Sequence, residues 1–227
     1  MSLQKISVSQ EAARLTEPFS MMELAGVDYF AVDIYICQGA VAWHKHIDQD
    51  ELFMVHSGVI TLESEFGNVV LQPYELAVVP KGLGHRSSSF LWSVVFLFQP
   101  KFMADRRNGD RRLFILKGEE RLEKISVMES ALDLTLPFST VDLACIEDFV
   151  LRLSVWQGAF HRHAHLDGDE MILVQEGEAF LESELGGFSL RAGEMVVVPK
   201  GVAHRPMASE QAVVLLFSRQ SLTVGGD

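Results

Sequence analysis

The chain is expected to fold as an all-β protein, two tandem barrels or sandwiches with few and short helices, and three observations lead there. The first is an internal duplication: Leu3-Gln-Lys-Ile-Ser-Val8 returns as Leu122-Glu-Lys-Ile-Ser-Val127, an offset of 119 residues (122 − 3, the same as 163 − 44 and 204 − 85). Roughly four in ten positions between Leu3 and Gln99 recur at that offset, and a two-copy period this long means tandem domains rather than a solenoid. The second is a succession of short β-branched and aromatic runs punctuated by glycines, the pattern of an all-β sandwich or barrel. The third is the scarcity of helical periodicity.

Taken in order, residues 8 to 16 and 127 to 135 can each form one or two helical turns, ending at the matched corners Pro18-Phe19-Ser20 and Pro137-Phe138-Ser139. Runs such as Phe30 to Ile36, Leu52 to Val55 and Leu76 to Val79 then read as strands, with Gly39, Gly58, Gly67 and Gly82 at the turns. Lys101 to Glu120 breaks the strand pattern and carries Arg106, Arg107, Arg111 and Arg112, so it reads as the connection between domains. Asn108-Gly-Asp110 ends the first copy much as Gly225-Gly-Asp227 ends the second, which places the domains at 1–112 and 113–227.

Composition narrows the partners. With 227 residues and 48% hydrophobic content the chain can pack a core in each copy. A formal net charge of -12 and a pI near 5.1 argue against nucleic acid and against anionic membrane surfaces, because both need a basic footprint. A small molecule is the expected partner. Two cysteines, Cys37 and Cys145, sit at unmatched positions and read as buried small hydrophobes in a reducing compartment. No signal-type apolar core follows Met1 and no apolar run reaches membrane-spanning length, so a soluble cytoplasmic location is expected. Unpaired edge strands make a homodimer an option.

The chemistry concentrates in His44-Lys-His46-Ile-Asp-Gln-Asp-Glu51, which returns as His163-Ala-His165-Leu-Asp-Gly-Asp-Glu170. Alternate side chains of an extended strand share a face, so each His-x-His aims two imidazoles at one point. Glu51 and Glu170 add a carboxylate. Further on, Pro80-Lys-Gly82-Leu-Gly-His85 and Pro199-Lys-Gly201-Val-Ala-His204 each deliver a third histidine after a Pro-x-Gly turn. Three imidazoles and one carboxylate at matched spacing, twice, specify two transition-metal sites, whereas a buried hydrogen-bonded cluster would not need the repeat.

These residues resemble the cupin superfamily, whose first motif is G-x(4,5)-H-x-H-x(3,4)-E-x(6)-G and whose second is G-x(5)-P-x-G-x(2)-H-x(3)-N. Gly39, His44, His46, Glu51 and Gly58 match the first motif, as do Gly158, His163, His165, Glu170 and Gly177. Gly193, Pro199, Gly201 and His204 match the second, while the earlier copy keeps Pro80, Gly82 and His85 but has Tyr74 for the leading glycine. Ser89 and Ala208 stand where the motif ends in asparagine. The resemblance covers almost the entire chain and implies a bicupin, two jelly-roll barrels in one polypeptide, each copy similar to the small cupins labelled mannose-6-phosphate isomerase-like. It also implies one divalent ion per barrel, Fe, Mn, Zn or Ni.

Other residues are read more plainly. Counting back by two from His165 through His163 reaches His161, which is expected to point into the second barrel as an acid/base or substrate-orienting group; the first copy has Ala42 there. A histidine at the barrel mouth bonded to a backbone carbonyl is the alternative. His56 falls out of phase with Glu51, Phe53 and Val55 and should face away. Trp43 and Arg162, and likewise Arg86 and Arg205, should point outward, a hold on a substrate anion being the other reading of the latter pair. Asp50 and Asp169 should serve the turn or orient a ligand, and the repeated Glu63, Glu65, Glu182 and Glu184 describe a solvated strand face.

Two functions follow. One is a metalloenzyme acting on a small oxygenated metabolite, a sugar or keto acid, by isomerase- or dioxygenase-type chemistry. The other is a non-catalytic binding module for a metal or small molecule, since fold alone does not decide function.

Overall fold

The computed structural model describes residues 2–101, 121–221 and 224–225. In chain order the first elements are β1 (Ile6–Ser7), α1 (Val8–Ala12), β2 (Met21–Val27), β3 (Phe30–Ala40), β4 (Glu51–Ser57), β5 (Ile60–Ser64), β6 (Gly67–Leu71), β7 (Glu75–Val79) and β8 (His85–Pro100). There follow β9 (Ile125–Ser126), α2 (Val127–Leu132), β10 (Thr140–Ile146), β11 (Phe149–Ala159), β12 (Ala164–His165), β13 (Glu170–Glu176), β14 (Glu178–Ser183), β15 (Gly186–Arg191), β16 (Glu194–Val198), β17 (His204–Arg219) and β18 (Val224–Gly225). The protein is all-β, as the sequence predicts, and the two short helices fall where the residues before each Pro-Phe-Ser corner place them. The boundary expected near residue 112 and the connector from 102 to 120 lie outside the described residues.

Two compact units form, an N-terminal barrel of Ala12–Ser126 and a C-terminal barrel of Val127–Asp227 joined by Met1–Glu11. Within the N-terminal barrel the strands run β2-β3-β8-β4-β7-β9, with β5 between β6 and β8. The C-terminal barrel repeats this as β10-β11-β17-β13-β16-β1, with β14 between β15 and β17. Every pairing is antiparallel among the described residues. The 16-residue strands β8 and β17 join the sheet together: the first residues of β8 pair with β5, its later ones with β4, and β3 runs beside it from Ser88 to Pro100.

The outermost strand of each barrel comes from the opening residues of the other copy. β1 pairs with β16 (Ile6 opposite Met195) and β9 with β7 (Ile125 opposite Leu76), which are equivalent contacts at the 119-residue offset. Lys5 reaches Glu194 at 3.1 Å and Lys124 reaches Glu75 at 2.9 Å, again equivalents. Leu122 is buried in the N-terminal core, while Leu3 packs on the C-terminal one. Each exchanged strand covers an edge that would otherwise expose unpaired backbone groups.

Local sequence explains the strands. In β5 the burial alternates, with Ile60, Leu62 and Ser64 inward and Thr61 and Glu63 partly exposed, as a one-sided strand requires. Two glycines of the first motif are needed for different reasons from the glycine of the Pro-x-Gly turn. Gly58 and Gly177 have φ of +83° and +82°, and an added Cβ would lie 2.8 Å from Ser93 Cα or 2.7 Å from the Gln211 carbonyl oxygen. Gly201 has φ of +81° but faces open space. Tyr74, which replaces the leading glycine of the second motif, keeps a left-handed φ of 66° beside 79° for Gly193. The turn survives there without its glycine. Of the cysteines, Cys37 is buried as expected but Cys145 is exposed, because on β10 it points to the face opposite the buried Ala144 and Ile146.

These two glycine types predict different costs. Gly201→Ala should destabilise by about 1–2 kcal/mol from backbone strain alone, whereas Gly177→Ala should cost measurably more because backbone atoms of Gln211 and Ala212 must also move. Chemical denaturation of both variants checks the difference, and equal losses would contradict the close approach.

Candidate metal centres

Backbone pairing brings the ligands together. His44 and His85 bond reciprocally, the His44 amide donating to the His85 carbonyl at 3.1 Å and the His85 amide to the His44 carbonyl at 2.9 Å. His163 and His204 do the same at 3.0 and 2.8 Å. The glycine of each Pro-x-Gly turn then donates its amide to the middle histidine's carbonyl, Gly82 to His46 and Gly201 to His165, both at 2.6 Å. Asp50 and Asp169 accept the next turn amides, from Lys81 at 2.8 Å and Lys200 at 3.0 Å, so they serve the turn rather than the cage. Glu51 and Glu170 are the first residues of β4 and β13, and His85 and His204 the first of β8 and β17.

Two buried four-residue metal-binding sites result. His44, His46, Glu51 and His85 form one and His163, His165, Glu170 and His204 the other, with ligand atoms within 4.8 Å of one another in each set. Glu51 Oε2 lies 3.0 Å from Nε2 of both His46 and His85; Glu170 Oε2 lies 3.2 Å from His165 Nε2 and 3.4 Å from His204 Nε2. Ligands at right angles about an ion roughly 2.1 Å from each would stand about 3 Å apart, so the spacing fits.

The donor atoms fit a cation in a second way. Nδ1 of His44, His85, His163 and His204 each lies 2.8–3.1 Å from a backbone carbonyl two residues earlier, and a carbonyl only accepts, so Nδ1 carries the proton. In a neutral ring of that tautomer Nε2 is a lone pair, the form that binds a cation. Nε2 of His46, His85, His165 and His204 and both oxygens of Glu51 are buried without a hydrogen-bond partner. Burial alone would push Glu51 and Glu170 up, but the neighbouring imidazoles outweigh it and hold each at about 2, hence ionised. Burial, reinforced by His204, pushes His163 down to about 4, hence neutral at pH 7. A neutral imidazole and an ionised carboxylate are the protonation states in which these groups bind a divalent metal.

Each cage adjoins a cavity, and the two differ. The N-terminal cavity is about 290 Å³ and is lined by His44 and Glu51 together with Phe19, Tyr35, Phe53 and Ser87. The C-terminal one is about 80 Å³, walled over His163 and Glu170 by Phe138, Trp156 and Phe160. His161 is not in that wall. It is exposed, with its ring 5.4 Å from that of His163 and its carbonyl accepting from His163 Nδ1. The period-two count holds only within a strand, and residues 160–162 lie between β11 and β12, so Phe160 takes the inward place. Sequence reading missed Tyr35 and Ser87 as well, although Tyr35 shares its strand face with the buried Cys37.

The remaining polar residues are engaged elsewhere. Arg86 pairs with Glu63 at 2.8 Å and lies 5.4 Å from the centre of the exposed Trp43 ring; Arg205 donates to the Phe160 carbonyl at 3.0 Å. His56 is partly buried against Phe96 and, by burial, is pushed down from its ordinary value.

Comparison with known proteins places this arrangement. No family model matches the chain. YdbB of Bacillus subtilis (strain 168), a protein of uncharacterised function, is 32% identical over 81 residues, which span 35% of this chain and 72% of YdbB. Among solved structures, a cupin 2 conserved barrel domain protein from Leptotrichia buccalis covers 97% of the chain and 98% of its own length at 11% identity, with a TM-score of 0.70. Salicylate 1,2-dioxygenase from Pseudaminobacter salicylatoxidans covers 99% and 89% at 13% identity, with a TM-score of 0.76. Oxalate decarboxylase from Bacillus subtilis, described with Mn(II) centres, covers 100% and 80% at 13% identity, with a TM-score of 0.62. The chain belongs to the same family as YdbB, and its duplicated barrels have the fold of these cupin structures, each barrel holding one three-histidine, one-glutamate metal-binding cage.

Two outcomes test the cages. Glu51→Ala and Glu170→Ala should each lower the bound divalent metal from two ions per chain to one, read by elemental analysis of the intact protein. In metal-free protein the folded state holds His163 at about 4 against 6.5, and Glu170 at about 2 against 4.5. The unfolded chain therefore takes up protons first as pH falls, and stability present above pH 6.5 is lost through the window down to about 2. Thermal melts of the stripped chain should fall from pH 7.5 to pH 5, and a flat profile would contradict the assignment.

Proposed function

We propose that the chain is a metalloenzyme acting on a small oxygenated metabolite, a sugar or keto acid, by isomerase- or dioxygenase-type chemistry. One observation carries this reading: the N-terminal cavity is walled in part by two of the metal ligands themselves, His44 and Glu51, so a molecule held there meets the metal site. One Fe, Mn, Zn or Ni ion per barrel would supply Lewis-acid polarisation of a carbonyl or hydroxyl, or with Fe or Mn a route to oxygen chemistry. The chain's own part is to keep Glu51 ionised, to bury the cage from bulk water, and to fix the histidine rings through main-chain carbonyls.

The cavity wall ranks the two chemistries. Apart from the ligands His44 and Glu51, its side chains offer only the hydroxyls of Tyr35 and Ser87 and no carboxylate, lysine or further histidine. Isomerisation must carry a proton between carbons and wants a dedicated base, so oxygen chemistry fits this wall better. The same lack of a base favours a second reading, a non-catalytic metal and small-molecule binding protein. At the C-terminal site His161, at the mouth beside His163, is assigned the role of proton carrier or orienting group.

The wider setting follows from charge and sequence. Residues 1–112 and 113–227 are taken as the two copies, the location as cytoplasmic, a homodimer as one option for the assembly, and the partners as small molecules rather than nucleic acid or membrane. No helix among the described residues is long and apolar enough to cross a membrane. The mannose-6-phosphate isomerase-like label is taken to describe the scaffold of each copy.

Protein isolated with its native metal, assayed for dioxygen uptake and for isomerisation over a panel of sugars and keto acids, tests the proposal. Turnover abolished by Glu51→Ala is the expected result; binding without turnover across the panel would establish the binding module instead. His161→Ala should keep both metals and alter the pH profile of any turnover at the C-terminal site.

A further inference from the structure

Identical cages sit beneath different walls. At the 119-residue offset Cys37 corresponds to Trp156, Val41 to Phe160, Tyr35 to Ser154 and Ser87 to Pro206. In the C-terminal barrel Phe138 packs against Phe160 with ring centres 5.0 Å apart and against Trp156 at 6.0 Å, and Phe160 stands 5.4 Å edge-on from the ligand His163. Three aromatic rings thus fill the space above the second cage and leave about 80 Å³, room for molecules of a few heavy atoms. In the N-terminal barrel Cys37 and Val41 stand at the positions of Trp156 and Phe160, and about 290 Å³ remains.

The open wall also has a definite chemistry. Its body is Phe19, Met21, Val41, Phe53 and Leu97, and its polar side chains besides the cage ligands are Tyr35 and Ser87, whose hydroxyls bond at 3.1 Å. The other barrel keeps neither half of this pair: Pro206 has no hydroxyl, and Ser154 donates to the Ser139 carbonyl at 3.1 Å. No lysine or arginine lines the cavity, and the nearby Arg86 is held by Glu63 and stacked on Trp43. A phosphate or a second carboxylate would be buried there without a counter-charge, and the many hydroxyls of a sugar without partners, both costly. A divalent ion with one glutamate keeps a single positive charge, which one anionic group neutralises.

We propose that the two barrels are divided in their ligands: the N-terminal cavity takes a small monoanion with two adjacent oxygen donors and a compact apolar body, while Trp156 and Phe160 close the C-terminal cavity to the same molecule. This rests on the reading that a small oxygenated molecule meets the N-terminal metal site, and it narrows that molecule from sugar or keto acid to the acid. Tyr35 and Ser87 are the positioning residues that orient the donor end, and Val41 sets the depth of the cavity.

The test uses the full chain loaded with two Mn(II), titrated calorimetrically with 4-methyl-2-oxopentanoate. One equivalent should bind per chain. Val41→Phe should weaken binding by about tenfold or more by filling the cavity, and Tyr35→Phe should weaken it less, both with two Mn(II) retained. The double variant Trp156→Cys with Phe160→Val should bind two equivalents, and mannose 6-phosphate should bind the unaltered chain at least about tenfold more weakly than the keto acid. Two equivalents in the unaltered chain, unchanged affinity in Val41→Phe, a single equivalent in a fully Mn(II)-loaded double variant, tighter binding of mannose 6-phosphate, or no binding of the keto acid to the loaded chain would each overturn the division. Binding as described without any turnover would remove the enzymatic reading and leave this one standing.

Discussion

The convergence of three imidazoles and one carboxylate on a single buried point is the constraint on which each barrel depends. Four of the six cage histidines have Nδ1 bound to a main-chain carbonyl, which turns Nε2 toward the other ligands. Two of those Nε2 atoms stand within 3.4 Å of a carboxylate oxygen that the neighbouring imidazoles help hold ionised. Nε2 of His46, His85, His165 and His204 and both Glu51 oxygens are buried without a hydrogen-bond partner, a costly arrangement for polar atoms. A cation in their midst turns the same geometry from a cost into a binding energy.

The surrounding backbone makes sense as a support for that geometry. Reciprocal bonds between His44 and His85, or His163 and His204, lock the first and third histidines, and the Pro-x-Gly amide locks the second. Long strands β8 and β17 carry the third histidine at one end and the core of the barrel wall at the other. Stability of the barrel and position of the ligands are therefore the same hydrogen bonds, and a change in the turn is expected to reach the metal before it reaches the fold. The cavity walls are under no such requirement, which is how two copies with matching cages have come to differ so much above them.

The cages were legible in the sequence because period-two alternation and the glycine and proline turns act locally, and each copy repeats them in register. The exchange of outer strands was not legible. Leu3 to Val8 and Leu122 to Val127 differ at one position, Gln4 against Glu123, so the side chains of either segment suit either barrel. His161 shows where local counting stops: the alternation that relates His163 to His165 does not continue through residues that are in no strand, and Phe160 turns inward in its place. Tyr74 shows the converse, a motif glycine lost with its backbone conformation kept. Cavity walls draw on three or four strands at once, so Tyr35 with Ser87, or Trp156 with Phe160, become neighbours only once the barrel is closed.

The most direct measurement is anomalous diffraction at the absorption edge of the metal carried by natively isolated protein. Two peaks per chain are predicted, each about 2.0–2.3 Å from the Nε2 atoms of three histidines and an oxygen of one glutamate. Metal found elsewhere in the chain, or none at either cage in protein never exposed to chelator, would contradict the account.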